Sequence, residues 1–196
     1  PARTLARIFG CEVVGIDLTP ALCEAATAMS HWVGLAGKVS FERGDATAFH
    51  CEPRSFDAIM SMHAGMNIAA KDAMYARAHR ALKPGRIFAI YDIVQGEGGE
   101  VLYPVPWARD ASISYLASPA QMRALLRGAG FSILDEIDSS DESMTWFEQA
   151  AAQAAANRPP LSFRSFLGPD HPQMARNQVR NLSERRIRTI SYICRR

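Results

Sequence analysis

Two kinds of segment alternate along the chain: short runs of apolar residues, and longer stretches whose apolar residues recur at helical spacing. An unbroken apolar run rich in β-branched residues is typical of a strand that is buried on both faces. Runs of this kind predict strands at residues 12–17, 39–42, 56–62, 87–94 and 131–137, and an alternating run predicts a last strand at 187–194. The run at 87–94 is apolar at nearly every position, so we expect it to be central in the sheet.

The intervening stretches predict helices at residues 1–10, 20–34, 72–82, 118–130, 139–157 and 170–184. Gly10 is placed as a C-cap, Thr19 is a candidate N-cap ahead of Pro20, and Ser118 with Gln121 has the spacing of a capping box. Pro159-Pro160 is expected to break the long alanine-rich helix. Strands and helices in this order favour an α/β fold, a mostly parallel sheet flanked by helices. We expect one domain over residues 1–196.

Residues 95–117 interrupt this rhythm with three glycines, two prolines and three aromatic residues, Tyr103, Trp107 and Tyr115. The segment follows the strand at 87–94, so it leaves the carboxyl edge of the sheet. It is also longer than an ordinary connection, and long loops of this kind are frequently lids or binding loops. We predict a substrate-side loop or lid. A surface excursion without function is the alternative.

Acidic residues follow two successive predicted strands. Asp17 ends the first, Asp45 follows the second, and polar or small residues 63–67 follow the third. The carboxyl ends of parallel strands share one edge, where α/β sheets bind ligands. A nucleoside suits this arrangement: Asp17 would accept hydrogen bonds from both ribose hydroxyls, Asp45 would accept one from an adenine amino group, and the Ala46 amide would donate to a ring nitrogen. The alternatives are a polar strand terminus at Asp17 and an Asx-turn at Asp45.

Five motifs resemble those of class I S-adenosylmethionine-dependent methyltransferases, and the resemblance covers nearly the whole chain. They are Val14-Gly-Ile-Asp17-Leu-Thr-Pro20, Gly44-Asp45-Ala46, Phe56-Asp57-Ala-Ile, Leu82-Lys-Pro-Gly85-Arg and Leu126-Arg-Gly-Ala-Gly130-Phe. Residues 61–68 and 104–108 resemble the small-molecule branch, which includes sarcosine/dimethylglycine N-methyltransferase-like and tocopherol-methyltransferase-like proteins.

The resemblance implies a Rossmann-like methyltransferase sheet of seven strands whose last strand, at 187–194, is antiparallel. It implies that S-adenosylmethionine is the cofactor and S-adenosylhomocysteine the product. The cofactor-binding residues would be Asp17 on the ribose, with Leu18 beside it, Asp45 and Ala46 at the adenine, and His63 beside the methionine portion.

The family's first strand and its glycine-rich loop are missing from the sequence. That loop precedes the ribose-binding acid by about 20 residues, so counting back from Asp17 places it ahead of Pro1. We therefore expect the methyltransferase domain to be N-terminally incomplete.

Methyl transfer from a sulfonium needs mainly alignment of the acceptor and exclusion of water. His63 is the candidate catalytic base where the acceptor must lose a proton, with a positioning role as the alternative. Tyr103, Trp107 and Tyr115 are candidate walls of the acceptor site, since aromatic faces suit an amine or a developing cation. Met66 and Asn67 are further substrate-binding candidates.

The bulk composition restricts the partners. The net charge is +2 with 48% hydrophobic residues, and Glu184 interrupts the late arginines, so a solvated helix face is favoured over a nucleic-acid surface. Four scattered cysteines without a CxxC pair indicate neither a metal site nor a disulfide framework, which fits reduced thiols in the cytoplasm. No apolar run approaches the length of a membrane span.

The resemblance implies an enzyme that methylates a small-molecule acceptor at nitrogen, oxygen or carbon, and the composition favours a cytoplasmic protein that contacts no nucleic acid. A homodimer stays open as its assembly state. The alternative readings are a catalytically inactive binding protein with the methyltransferase fold and a nicotinamide-dependent oxidoreductase, which also places a ribose-binding acid after its second strand.

Overall fold

A computed structural model describes residues 1–156 and 163–196. The predicted helix end at Asn157 and the break at Pro159-Pro160 lie outside the described residues. The chain divides into two compact units, Pro1–Cys51 and Glu52–Arg196.

The first unit is a two-stranded parallel sheet with two helices. Its elements are α1 (Ala2–Phe9), β1 (Val13–Asp17), α2 (Pro20–Trp32) and β2 (Val39–Arg43). The register pairs Val13 with Val39 at one end and Asp17 with Arg43 at the other. The two strands therefore finish level with each other, at the edge that carries the predicted acidic residues.

The helix ends in this unit show which local signals determine structure. Gly10 adopts the left-handed conformation with φ 68° and donates its N–H to the Ala6 carbonyl, as predicted for a C-cap. Thr19 begins α2 with Pro20 in the first turn, but its side chain makes no capping bond. The expectation of a Thr19 side-chain cap is therefore wrong. Its backbone N–H instead donates to the Asp17 carboxylate at 2.8 Å.

The second unit is a four-stranded sheet with helices. Its elements are β3 (Phe56–Met62), α3 (Lys71–Ala81), β4 (Leu82–Gln95), α4 (Pro119–Gly128), β5 (Ser132–Asp138), α5 (Ser140–Ala156), α6 (Phe163–Leu167), α7 (His171–Ser183) and β6 (Ile187–Arg195), with 3₁₀ turns at Gly65–Asn67, Ala111–Ile113 and Gly168–Asp170. The strand order is β3-β4-β6-β5. β3 and β4 are parallel, whereas β6 runs antiparallel to both of its neighbours, so the predicted antiparallel last strand is confirmed.

β4 lies between β3 and β6 and supplies much of the core, as its apolar run predicts. Leu82 and Phe88 are fully buried, and Ile90 is almost fully buried. The Phe88 ring packs on Phe131 at a centroid distance of 5.3 Å and meets Tyr75 edge-on at 6.0 Å. These aromatic contacts join β4 to α3 and to the residue that precedes β5.

The boundary between α3 and β4 differs from the prediction. The helix ends at Ala81 and the strand begins at Leu82, five positions before the apolar run. Lys83 precedes a proline, which disfavours helical backbone at that residue. Leu82 is already extended and pairs with Phe56 of β3. The Lys83-Pro84-Gly85 segment, which the sequence predicts as a stop, therefore lies inside β4, at a register shift between the paired residues Leu82 and Ile87.

The capping box at the start of α4 is confirmed. The Gln121 N–H donates to the Ser118 hydroxyl at 3.3 Å, and the Ser118 N–H donates to the Gln121 side-chain oxygen at 2.8 Å.

Four of the late arginines are paired with acids. Arg180 and Arg186 both bind Glu184, Arg185 binds Asp141, and Arg188 binds Asp138. This pairing agrees with the predicted solvated helix face. All four cysteines carry free thiols, and Cys23 and Cys194 are buried.

Candidate functional site

The edge of the first unit brings the two predicted acidic residues together. Asp17 ends β1, and Asp45 follows β2 by two residues. The Gly44 N–H donates to the Asp17 carbonyl at 3.0 Å, which links the two strand tips directly. Both aspartates are exposed, as is Leu18, while Ala46 is half-buried. Four of the predicted cofactor residues therefore share one short edge.

Both carboxylates are oriented by backbone amides two residues further on. Asp17 Oδ1 accepts the Thr19 N–H at 2.8 Å. Asp45 Oδ1 accepts the Thr47 N–H and the Thr47 hydroxyl, each at 2.8 Å. The Thr47 bonds hold the pKa of Asp45 below its usual range, so this carboxylate is ionised at neutral pH. The Asx-turn that the sequence offered as an alternative is present, and it fixes an acceptor at the strand tip.

Gly44 is required by a close approach ahead of Asp45. A Cβ at this position would lie 2.6 Å from the Phe49 ring. The Gly44-Asp45-Ala46 motif therefore has a packing reason for its first residue, in addition to any ligand role.

In the second unit, His63 directly follows β3 with the uncommon positive φ of 49°. The backbone N–H of His63 donates to the Tyr91 carbonyl at 2.8 Å. The imidazole ring meets the Tyr91 ring edge-on at a centroid distance of 4.8 Å. Part of the imidazole faces solvent, but the protein atoms around it desolvate the ring and lower the pKa of His63. The side chain is therefore neutral at neutral pH and able to accept a proton.

Met66 and Asn67 lie in the 3₁₀ turn that follows. Met66 is 5% exposed and belongs to a core cluster with Ile93, Leu182 and Ile187. The Asn67 side chain donates to the carbonyls of Trp107 and Ile113, at 2.8 and 3.0 Å. Met66 is thus a packing residue in this structure, and both amide hydrogens of Asn67 are used within the protein.

Tyr103 and Trp107 occupy different places in the 95–117 loop, and both are half-buried. Trp107 packs against the Met66 cluster and donates its indole N–H to the Ser114 hydroxyl at 3.0 Å. It also lines a groove of about 300 Å³, whose other lining residues are Val105, Pro106, Ala108, Arg109, Ile113, Phe166, Leu167 and Met174. Tyr103 lies outside that lining.

Two buried charged residues near this turn were not predicted from the sequence. Lys71 begins α3 and is 5% exposed, while Asp92 lies in β4 and is 2% exposed. Burial raises the pKa of Asp92 to about 6, an effect opposed by the Ile93 N–H and by the charge of Lys71. The position of Asp92 inside the most apolar run of the chain could have indicated this pair of buried charges. Buried acids are rare unless they have a partner.

The predicted site residues therefore form two groups. Asp17, Leu18, Asp45 and Ala46 lie in the first unit. His63, Met66, Asn67, Tyr103 and Trp107 lie in the second. A single crevice that contains both groups stays a prediction.

Comparison with known proteins tests the expected family. Residues 1–85 match the model of a methyltransferase domain. The sterol 24-C-methyltransferase of Kluyveromyces lactis is 26% identical over 169 residues, which cover 75% of this chain and 42% of the relative. The Saccharomyces cerevisiae enzyme of the same name is 24% identical over 183 residues, covering 86% and 47%. The chain thus spans less than half the length of these curated relatives.

Solved structures match over nearly the entire chain. A Haemonchus contortus phosphoethanolamine N-methyltransferase bound to S-adenosyl-L-methionine has a TM-score of 0.84 at 20% identity, covering 100% of this chain and 45% of that one. The chain has a class I methyltransferase fold. A Galdieria sulphuraria protein named as a sarcosine dimethylglycine methyltransferase gives 0.79 at 18%, covering 99% and 73%. The [4+2]-cyclase SpnF gives 0.77 at 24%, covering 100% and 71%.

These findings confirm the resemblance to class I methyltransferases and the Rossmann-like fold. Among residues 1–156 and 163–196, no helix has both the length and the apolar character needed to cross a bilayer.

Proposed function

We propose that the protein transfers a methyl group from S-adenosylmethionine to a small-molecule acceptor. One observation carries the proposal: Asp17 and Asp45 lie at adjacent strand tips, joined by the bond from Gly44 to Asp17, inside the region that matches a methyltransferase domain.

The cofactor contacts follow from this edge. In each aspartate, Oδ1 already accepts a hydrogen bond from a backbone amide of the protein. Oδ2 of Asp17 and of Asp45 would therefore contact the ligand. Asp17 would receive the ribose hydroxyls, and Asp45 would receive the adenine amino group beside the Ala46 N–H. Leu18 is 65% exposed and offers an apolar contact next to the ribose. Charge-assisted bonds of this kind are stronger than neutral ones.

His63 is the proposed proton acceptor or positioning residue at the reacting end. Because its pKa is lowered, it accepts a proton without first having to lose one at neutral pH. Deprotonation matters when the acceptor releases a proton after methylation. Loss of His63 should then lower the rate more than it lowers cofactor affinity.

The acceptor is proposed to carry an apolar body. The groove beside Trp107 is lined mainly by apolar side chains, and its Arg109 is paired with Asp170 at 3.1 Å. The matched relatives are named for a sterol acceptor, which agrees with this lining. A small amine held by aromatic faces, with Tyr103 and Trp107 as walls, is the second candidate, because one structural neighbour is named for phosphoethanolamine.

A different activity on the same fold is the main rival, since SpnF is named as a cyclase. Cofactor binding alone does not separate the two. Transfer of tritium from methyl-labelled S-adenosylmethionine into an organic-extractable product does.

The first test is calorimetric titration with S-adenosylhomocysteine. Replacing Asp17 or Asp45 by alanine removes bonds to a charged acceptor, so the Kd should rise about 10- to 100-fold in each variant. Asp57→Ala is the matched control, because Asp57 is an exposed acid that pairs with Lys83 at 2.8 Å. Equal Kd values for wild type and both site variants would refute the assignment.

Four further statements stay predictions: a single domain, a cytoplasmic location, a homodimer and the absence of nucleic-acid binding. Sedimentation equilibrium tests the homodimer. Titration with duplex DNA and with RNA tests the absence of nucleic-acid binding.

A further inference from the structure

Both halves of the 95–117 loop are hydrogen-bonded to other segments of the second unit. In its first half, Gly96 and Gly98 donate to the carbonyls of Arg186 and Arg185, at 2.9 and 2.8 Å. The Asn181 side chain bonds both backbone groups of Leu102, at 2.8 and 2.9 Å. The first half is therefore joined to α7 and to the turn that follows it.

The second half is joined to the turn after β3. Asn67 donates to the Trp107 and Ile113 carbonyls. The ammonium group of Lys71 donates to the Tyr115 carbonyl and, at 2.7 Å, to the Ile68 carbonyl. In return, the Tyr115 N–H donates to the Met66 carbonyl at 2.8 Å. Side chains at 67 and 71 thus hold three separate carbonyls of the loop.

Lys71 makes these bonds from a buried position, 5% exposed, where a charge without a partner is costly. Burial lowers the pKa of Lys71, and the negative charge of Asp92, which is also buried, opposes this effect. The Asp92 carboxylate lies so close to Gly65 that a Cβ there would be 2.4 Å from Oδ2. Asp92 therefore packs directly against the turn that carries Asn67.

The second half of the loop carries Trp107 and Ile113, which are among the residues that line the groove. Both have their backbone carbonyls bound by Asn67. Moving Asn67 would therefore move the wall of the groove and leave the first half of the loop, which α7 holds, in place.

We propose that Asn67 and Lys71 are positioning residues. By binding the carbonyls of Trp107, Ile113 and Tyr115, they fix the side of the groove that would contact the methyl acceptor. This inference rests on the proposed function in treating the groove as the acceptor side. Neither side chain touches the reacting atoms in this scheme; each acts through the loop.

The first experiment measures amide hydrogen exchange over residues 107–115. Asn67→Ala and Lys71→Met should each speed exchange at the Tyr115 amide by about tenfold, since each removes one or two bonds. Lys71→Arg, which keeps the charge and the donors, should restore slow exchange. The matched controls are Lys83→Met, at a half-buried lysine that pairs with Asp57, and Asn177→Ala, which removes the 2.9 Å bond to the Pro104 carbonyl. Exchange as slow as in wild type in the Asn67→Ala variant would overturn the proposal. This variant also tests the proposal if Lys71→Met fails to fold.

The second experiment separates positioning from general stability. Desmosterol, a sterol with a double bond in its side chain, serves as the acceptor probe in detergent, and equilibrium dialysis gives its Kd. We expect the desmosterol Kd to rise about tenfold in Asn67→Ala while the Kd of S-adenosylhomocysteine stays within about twofold of wild type. A parallel rise in both constants would overturn the positioning role.

The two proposals fail differently. Wild-type protein that does not bind S-adenosylhomocysteine would refute the proposed function and leave the exchange result standing. Tight cofactor binding with an Asn67→Ala loop that exchanges as slowly as wild type would refute only the positioning role.

Discussion

Asp92→Asn should change the way in which the stability of the protein depends on pH. Asp92 is 2% exposed, and burial raises its pKa from 3.8 to about 6, against the opposing effects of the Ile93 N–H and the charge of Lys71. In the unfolded chain the carboxyl titrates near its ordinary value. Between these two pKa values the folded protein holds a proton that the unfolded chain has released.

This difference fixes the sign. A group that binds its proton more tightly in the folded state stabilises that state fully below the unfolded pKa, and the contribution is lost as the pH rises through the folded pKa. The loss falls between about pH 4 and about pH 6. A pKa that is raised from 3.8 to about 6 corresponds to about 3 kcal/mol of unfolding free energy. Asparagine does not titrate, so the variant lacks this loss.

Urea unfolding followed by circular dichroism at about pH 4 and about pH 7 measures the effect. The free energy of unfolding of Asp92→Asn minus that of wild type should rise by about 3 kcal/mol between the two pH values. Effects of the substitution that do not depend on pH, such as altered hydrogen bonding at Gly65, cancel in this difference. A difference that stays constant, or that falls with rising pH, would refute the reasoning.

Three further predictions concern stability. Leu82→Ala removes a fully buried side chain and should lower the free energy of unfolding by about 2–5 kcal/mol in urea titrations, and a loss below about 1 kcal/mol would contradict the packing described for β4. Ser118→Ala removes the confirmed cap of α4 and should cost about 1 kcal/mol, whereas Ser112→Ala, outside any α-helix, serves as its comparison. Gly98→Ala would place a Cβ 1.8 Å from the Glu184 carbonyl, so exchange in the first half of the 95–117 loop should accelerate while Tyr115 stays protected.

Much of the secondary structure was predictable because the signals are local. The apolar run at 56–62 became β3 with the same bounds, and the alternating run near the end became the antiparallel β6. The capping box at Ser118 and the glycine cap at Gly10 also formed as predicted. Each of these depends on a few neighbouring residues. The start of β4 did not follow, because Leu82 is extended and pairs with Phe56 of β3 five positions before the apolar run begins.

The candidate site shows the same division. The acids at 17 and 45 were predictable, because a carboxylate that follows a parallel strand lies at the carboxyl edge of its sheet whatever the distant packing. The predicted burial of the first strand on both faces was wrong, since Val14 and Ile16 of β1 are exposed. The parts played by Met66 and Asn67 were not. Both are near His63 in sequence, but contacts with residues 93 and 107–113 decide that one packs in the core and the other binds loop carbonyls.

The sequence by itself therefore determined the order of helices and strands, the methyltransferase resemblance and the placement of the strand-tip acids, since all of these rest on short-range patterns. Only the tertiary structure decided that the 95–117 loop is fastened at both halves, and that Lys71 and Asp92 are buried close enough for their charges to interact. Those features join residues that lie 20 to 90 positions apart, and no local pattern records which distant groups will meet.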